Sequence, residues 1–395
     1  MKTFATATAV AALLGGAAFA QEEIKLGVVL GFTGPLETLA GPMADGAELA
    51  IAEVSGSGLL LGGSTVTPVR GDSTCVDAAA ATATAERLVT SEGVAAIMGA
   101  MCSGATGAIL SNVAVPNGIV MISPSATSPG LSTVEDNGLF FRTAPSDARQ
   151  GVVMSDIIMG RGIDTVALTY TNNDYGKGLA DSFQAAFEEA GGTVTLSSPH
   201  EDGKADYSAE IGALASAGGD ALVVAGYVDE GGSGMVQAAL DTGAFDLFVF
   251  PDGMVGDALV ENFGSDIDGS FGQNPGSDSD GAAMYEEMAT AAGVNGASVY
   301  SKEAYDAAAL ILLAMQAAGS SSSSDLKAHV MDVANAPGEP IMPGELGKAL
   351  QILADGGEID YVGASAVELI EPGEAAGVYR EIEIEGGALN TVGFR

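Results

Sequence analysis

Short apolar runs alternate with longer segments of helical periodicity along this chain, and the pattern occurs twice. The runs that predict strands cover residues 24–30, 65–70, 94–100 and 119–123, and then 165–171, 193–198, 221–227 and 246–251. Segments of helical spacing lie between them, at 43–54, 77–90, 175–190, 207–217 and 234–241. Strands that alternate with helices form parallel sheets with crossover connections. The sequence therefore predicts two α/β units with a boundary near residues 142–145.

The chain after Gly272 is mainly helical, with helices predicted at 282–292 and 302–318. This part can return to complete the first unit, so it does not by itself require a third domain. The serine run at 320–324 predicts a flexible loop, and residues 378–384 have the pattern of a strand.

The first twenty residues have the pattern of a secretory signal peptide. Lys2 supplies a positive charge, residues 5–14 are apolar or small, and Ala18-Phe19-Ala20 has the form that a signal peptidase accepts. The apolar run is shorter than the roughly 20 residues that span a bilayer. We expect cleavage after Ala20, export to the periplasm and no insertion of the mature chain into the membrane.

The composition is strongly acidic, with 52 Asp and Glu against 14 Lys and Arg, and a net charge of −38. Such a surface repels nucleic acids and anionic membranes, so neither is expected as a partner. Hydrophobic residues make up 47% of the 395 residues. This is the composition of a folded chain, and its length favours two lobes over one core.

Residues that carry catalysis are scarce. In an oxidising compartment the two cysteines, Cys75 and Cys102, form a disulfide by default, the alternative being a nucleophilic or metal-binding thiol. Residues 31–35 do not fit a dinucleotide turn. The acidic string at 278–281 resembles part of a calcium loop, but Gly276 stands where that loop requires a carboxylate. We expect no enzyme activity, no cofactor and no metal.

Polar residues follow several predicted strands. Ser103 and Thr127 follow strands of the first unit, while Tyr175, Tyr227 and Asp252 follow strands of the second. Ligands of open α/β sheets bind outside the carboxyl ends of the strands. A helix N-terminus at Ser103 would favour a carboxylate, and Asp252 could receive an ammonium group. Loops at strand ends are usually polar in any case, so the ordered set indicates a zwitterion site more strongly than any one member.

Several motifs resemble one family over nearly the whole mature chain. They are IKLGVV at 24–29, TGP at 33–35, DSTC at 72–75, MGAMCS at 98–103, MISPSATSP at 121–129, FRT at 141–143, DYGKG at 174–178 and GY at 226–227. The chain resembles the periplasmic leucine/isoleucine/valine-binding proteins of ABC importers, which have the type I periplasmic binding protein fold.

The resemblance implies an α/β fold of two doubly wound parallel-sheet lobes joined by a three-segment hinge. The N-terminal lobe would comprise residues 21–142 and 274–376, and the C-terminal lobe residues 143–273 and 377–395. It also implies a disulfide between Cys75 and Cys102. The implied function is capture of a branched-chain or related amino acid and its delivery, by a monomer, to an inner-membrane ABC permease.

The resemblance also implies a set of ligand contacts. Ser103, Thr127 and the Tyr227 region would hold the ligand carboxylate. The Ser125 carbonyl, the Thr127 hydroxyl and Asp252 would hold the ammonium, with Tyr175 at the cleft. Asp252 replaces a glutamate common in the family, Leu39 or Ala40 replaces an aromatic residue, and Glu37 is an unexpected carboxylate that would bind a polar ligand end or remain solvated.

Three alternatives stay open from the sequence. The chain could serve as a ligand sensor for a membrane receptor, since the same lobes would serve both purposes. It could bind amides or other small carboxylates in place of amino acids. An exported hydrolase with an unfamiliar carboxylate site is the third, and the absence of a nucleophile motif argues against it.

Overall fold

The computed structural model describes residues 22–395. Its strands are β1 (Glu23–Leu30), β2 (Thr65–Asp72), β3 (Ala96–Gly99), β4 (Met121–Ser123), β5 (Phe140–Arg142), β6 (Thr165–Thr171), β7 (Thr193–His200), β8 (Ala221–Ala225), β9 (Phe248–Phe250), β10 (Phe271–Pro275), β11 (Glu339–Ile341), β12 (Ile359–Tyr361), β13 (Leu369–Ile370), β14 (Glu374–Ala375), β15 (Tyr379–Glu385) and β16 (Ala388–Phe394).

The α-helices lie mainly between the strands. They are α1 (Glu37–Ser57), α2 (Ala78–Arg87), α3 (Ser103–Ile109), α4 (Val115–Asn117), α5 (Asp147–Gly160), α6 (Asp174–Glu189), α7 (Ser208–Ala217), α8 (Gly231–Thr242), α9 (Asp257–Phe263), α10 (Asp280–Ala292), α11 (Ser301–Ala318), α12 (Ser323–Leu326), α13 (Val330–Ala334) and α14 (Leu346–Ala354).

Fourteen of these strands form two seven-stranded sheets, one in each lobe, and β11 and β12 form a separate parallel pair. The N-terminal lobe has the order β13-β14-β5-β4-β3-β1-β2, and the C-terminal lobe has the order β16-β15-β10-β9-β8-β6-β7. Pairing is parallel from β2 to β14 in the first sheet and from β7 to β10 in the second. Antiparallel strands β13, β15 and β16 complete the edges. This confirms the predicted α/β fold of two sheet lobes.

The chain passes between the sheets three times: after β5, after β10 and between β14 and β15. The predicted division between the lobes after residue 273 falls inside β10. Because the parallel strands end at one edge of each sheet, the loops that follow them meet in the cleft between the lobes.

The helical segment after β10 returns to the N-terminal lobe. Helix α11 is buried along most of its length and packs against α1 and the strands β3 and β4. The apolar composition that predicts this helix is therefore that of a central core helix. Within residues 22–395, none of the helices combines the length and the apolar character needed to cross a membrane.

The predicted loop at 320–324 ends early, because residues 320–322 lie outside the helices whereas 323–324 belong to α12. Ser323 begins α12 and is only 5% exposed. Its Oγ donates to the Ala95 carbonyl at 2.6 Å and accepts from the Val120 N–H at 2.9 Å. A serine suits this position because its small hydroxyl group can bond two backbone groups in a tight space. A serine-rich composition, which is typical of linkers, is therefore partly buried here. The predicted signal peptide lies outside the described residues.

Candidate functional site

A cavity lies between the two lobes, at the carboxyl ends of the strands. Its lining combines hydroxyl groups, one carboxylate and apolar side chains: Leu36, Leu39, Met101, Cys102, Ser103, Ser125, Tyr175, Tyr227, Asp252, Gly253 and Tyr300. The lining contains no lysine or arginine. A space with this mixed lining suits a small ligand with an apolar part and a few polar groups.

The start of α3 forms one wall of the cavity. Cys102 precedes the helix in an extended conformation and is bonded to Cys75, so the predicted disulfide is present. No side chain caps this helix N-terminus. Backbone N–H groups of a first turn normally seek an acceptor, and they are therefore available to an anionic ligand group. The Oγ of Ser103 accepts from the Ser128 N–H at 3.1 Å.

The loop after β4 forms the neighbouring wall and is held by a buried arginine. Arg142, 1% exposed, donates through Nη1 to the carbonyls of Ala126 and Ser128 at 2.9 and 3.0 Å. Its Nη2 lies 2.5 Å from Glu374 Oε2, on the last strand before the third crossing. Thus one planar guanidinium ties the loop that carries Ser125 to the hinge.

The C-terminal lobe contributes Tyr175, Tyr227 and Asp252. The two tyrosine rings are stacked with centroids 5.2 Å apart. Tyr175 lies in the first turn of α6, and its hydroxyl donates to Asp252 Oδ1 at 2.8 Å while accepting from the Gly253 N–H at 3.2 Å. Asp252 is 2% exposed. The carboxylate predicted to meet an ammonium group is therefore buried and fixed in position.

Tyr300 is a site residue that the sequence analysis missed. It belongs to the N-terminal lobe, and its hydroxyl donates across the cleft to Asp252 Oδ2 at 2.5 Å. It precedes α11 with a φ of 64° and follows no strand, so the strand-end rule could not find it. An isolated tyrosine before an apolar helix carries no other sequence signal for a binding role.

Burial controls the ionisation of these groups. It raises the pKa of Asp252, while the hydroxyls of Tyr300 and Tyr175 lower it. Burial, followed by the charge of Asp252, also raises the pKa of both tyrosines well above the usual range. The tyrosines therefore remain neutral donors. Each carboxylate oxygen accepts one of them and retains a lone pair for a further donor.

A second contact joins the lobes at the mouth of the cleft. Asp229, in the turn between β8 and α8, accepts from the Thr38 N–H at 3.0 Å and from the Thr38 hydroxyl at 2.8 Å. The Asp229 N–H donates to the Pro35 carbonyl at 3.2 Å. Helix α1 has no capping side chain of its own, since Leu36 stands at its N-cap position. The opposite lobe therefore supplies the cap.

The structure brings most of the predicted residues together. Ser103, Ser125, Tyr175, Tyr227 and Asp252 line the cavity. Thr127 lies just behind the lining, 1% exposed, with a hydroxyl that has no hydrogen-bond partner. Glu37 is different: it is exposed in the first turn of α1 and does not line the cavity. Its charge acts instead on Glu230, while Leu36 and Leu39 on either side of it line the cavity.

Within residues 22–395, no group of three or more His, Cys, Asp or Glu side chains is placed to hold a metal ion. His200 is buried with its Nδ1 2.8 Å from the Thr169 hydroxyl, and burial lowers its pKa to about 4. His329 pairs loosely with Asp332 on the surface. Neither histidine belongs to the cavity lining.

Comparisons with known proteins agree with this geometry. Residues 23–346 match the family model described as periplasmic binding protein. The chain is 30% identical to the Leu/Ile/Val-binding protein homolog 1 of Brucella melitensis over 333 residues, which cover 82% of this chain and 86% of the relative. It is 32% identical to homolog 3 of the same organism over 230 residues, or 58% of this chain and 61% of that relative.

Solved structures share the fold at lower identity. A leucine-binding protein, LivK, from Thermotoga maritima has a TM-score of 0.78 at 22% identity, covering 94% of this chain and 98% of its own. A solute-binding protein of an ABC transporter from Rhodopseudomonas palustris, in complex with p-hydroxybenzoic acid, has a TM-score of 0.75 at 18% identity, covering 94% and 97%. Proteins with this architecture thus include binders of chemically different small ligands.

Proposed function

We propose that this chain, which belongs to the periplasmic binding protein family of the leucine/isoleucine/valine-binding type, captures a small α-amino acid and delivers it to a membrane permease. The observation that carries the proposal is the cavity between the lobes, whose lining includes both the buried carboxylate of Asp252 and Ser103 at the uncapped start of α3. The carboxylate suits a cation and the helix start suits an anion.

The ligand carboxylate would accept from the first-turn N–H groups of α3 and from the Ser103 hydroxyl. Its ammonium would donate to Asp252, the Ser125 carbonyl and the Thr127 hydroxyl. Leu36, Leu39 and Met101 offer an apolar surface for the side chain. Polar contacts for the charged groups and an apolar surface for the side chain support a branched-chain or other apolar amino acid as the ligand.

Capture would proceed by closure of the lobes about the three crossings. Closure excludes water and strengthens charge-assisted hydrogen bonds around the ligand. The contacts from Thr38 to Asp229 and from Tyr300 to Asp252 form only when the lobes meet. Export to the periplasm with cleavage after Ala20, and action as a monomer, complete the proposal.

A benzoate-type ligand is the second candidate, because proteins of the same fold hold benzoates. The lining of this cavity opposes it. A ligand with a carboxylate and no ammonium would leave Asp252 without a positive partner, and burying an unpaired charge is costly.

A thermal-shift screen with leucine, isoleucine, valine and 4-hydroxybenzoate tests the choice, since a ligand raises the melting temperature through binding to the folded state. Calorimetric titration of Asp252→Asn should then show affinity weakened about 10- to 100-fold, the value of a charge-assisted hydrogen bond. Ser103→Ala should weaken it about fivefold. Asp241→Asn, an exposed acid in α8, is the matched control. Unchanged affinity in both cavity variants would refute the assigned site.

A further inference from the structure

Three polar side chains near the cavity are buried without a well-formed hydrogen bond. Thr127, Asp147 and Gln150 are at most 1% exposed. The Thr127 hydroxyl, both carboxylate oxygens of Asp147 and both amide atoms of Gln150 make no well-formed hydrogen bond. Thr127 nevertheless lies near enough to Asp147, and Gln150 near enough to Asp252, to lower the pKa of each carboxyl against the larger raising effect of burial. Native proteins satisfy nearly all buried polar groups, so such a cluster calls for an explanation. A buried carboxylate without a partner is also unfavourable as an anion.

The cluster is physically continuous with the binding site. Asp147 begins α5 just after the first crossing, and its N–H donates to the Thr127 carbonyl at 2.8 Å. Gln150 lies one turn further on the same face of the helix, and its amide helps to lower the pKa of Asp252. Asp147 and Asp252 are close enough for the charge of one to act on the other. One carboxylate thus lines the cavity and the second lies behind it.

Within residues 22–395, the cation that acts on Asp147 is already bonded to other groups. Among the charged groups around Asp147, Arg142 on β5 lowers its pKa, but that guanidinium is bonded to Glu374 and to two loop carbonyls. The other titratable groups that face it are Asp252 and the tyrosines of four elements, Tyr175, Tyr227, Tyr300 and Tyr379. Burial, followed by the charge of Asp252, raises the pKa of Asp147 well above its usual range.

We propose that Asp147 is a positioning acid of the binding site, which carries a proton in the ligand-free protein and releases it when a ligand ammonium enters beside Asp252. The O–H bond of the Asp147 carboxyl breaks, the proton passes to the solvent, and the resulting carboxylate shares the positive charge of the ligand with Asp252. The step needs no further reagent. It rests on the proposed function, because the ligand must bring an ammonium group.

The coupling follows from electrostatics between neighbouring acids. Two carboxylates in one buried site resist joint ionisation, and a cation placed beside them removes that resistance. The pKa of Asp147 is therefore lower in the complex than in the free protein. At a pH between the pKa of Asp147 in the complex and its pKa in the free protein, binding releases protons. Affinity therefore rises with pH, by up to about tenfold per pH unit when one full proton is released. Outside that interval the dependence disappears.

Calorimetry counts the released protons. The amino acid with the largest thermal shift, L-leucine being the first probe, is titrated at one pH in buffers of different ionisation enthalpy, across pH 5 to 9. The wild type should release a fraction of a proton that approaches one between the two pKa values. Asp147→Asn should release none and should lose the pH slope of affinity. Asp156→Asn, an exposed acid on the same helix, should behave as wild type.

An infrared difference spectrum of wild-type protein with and without the amino acid covers the case in which Asp147→Asn does not fold. Loss of a protonated carboxyl band on binding is the expected result. Binding without proton release, or equal release by wild type and Asp147→Asn, overturns the coupling and leaves the proposed function standing. If no amino acid binds at all, the proposed function fails and the coupling fails with it.

Discussion

Removal of the Asp229 side chain should weaken ligand binding although Asp229 does not line the cavity. In the closed structure this carboxylate accepts from the Thr38 N–H and hydroxyl and caps a helix that has no cap of its own. When the lobes separate, water replaces Asp229 as the hydrogen-bond acceptor at the N-terminus of α1. Asp229 therefore stabilises the closed form selectively, and closure is the step that retains the ligand.

The size of the effect follows from the capping contact. Loss of a capping side chain costs about 1 kcal/mol, within a range of about 0.5–2 kcal/mol. Thr38 is exposed, so the typical value applies better than the upper one. Because about 1.4 kcal/mol corresponds to a tenfold change, Asp229→Ala should weaken affinity about fivefold. Most of this should appear as faster dissociation, since the contact forms after the ligand has entered.

Stopped-flow dissociation and calorimetric titration measure the effect. Thr38→Val, which removes the hydroxyl donor to Asp229, should reproduce part of it, and the double variant should lose less than the sum because both remove one contact. Asp220→Ala is the matched control, since Asp220 accepts from the Thr165 hydroxyl at 2.6 Å within the C-terminal lobe alone. Equal dissociation rates for Asp229→Ala, Asp220→Ala and wild type would refute the reasoning.

Two further predictions concern stability. Replacing Cys75 and Cys102 by serine opens a loop with a sequence separation of 27 residues, which should reduce the free energy of unfolding by about 3–4 kcal/mol in urea denaturation; a loss below about 1 kcal/mol would contradict the entropic estimate. Burial lowers the pKa of His200 to about 4 from 6.5, so the unfolded chain binds a proton more readily, and stability should fall as pH drops from about 6.5 towards 4. Wild type should lose up to about 3 kcal/mol more than His200→Gln over that interval, and parallel melting curves for the two proteins would exclude the linkage.

Local patterns predict the strands well because burial on both faces requires continuous apolar runs. Strand β6 was predicted at its observed bounds, and β1 to β4 and β7 to β9 within a few residues, whereas the parallel strands β5, β10 and β14 were not predicted. The positions of Ser103, Tyr175, Tyr227 and Asp252 follow from the same logic, since a parallel sheet presents all of its carboxyl ends at one edge. Those residues line the cavity because each follows a strand whose carboxyl end borders it.

The contacts between the lobes could not be predicted in this way. Thr38 and Asp229 are 191 residues apart, and Tyr300 reaches Asp252 over 48 residues. Each pair meets only after both sheets have formed and the three crossings have set their relative position. Asp147 was overlooked for a related reason: an acid at the start of a helix is usually a solvated first-turn residue, and only the packing of the hinge buries it.

Binding and closure depend on overlapping but separable residues in this chain. Ser103 would contact the ligand and joins no lobes, whereas Asp229 joins the lobes and does not line the cavity. Asp252 does both, because it faces the cavity and accepts the Tyr300 hydroxyl from the opposite lobe. A substitution at Asp252 must therefore weaken the ligand contact and the closed form together, while Asp229→Ala weakens closure alone. The greater loss expected at Asp252 follows from this double role as much as from its charge.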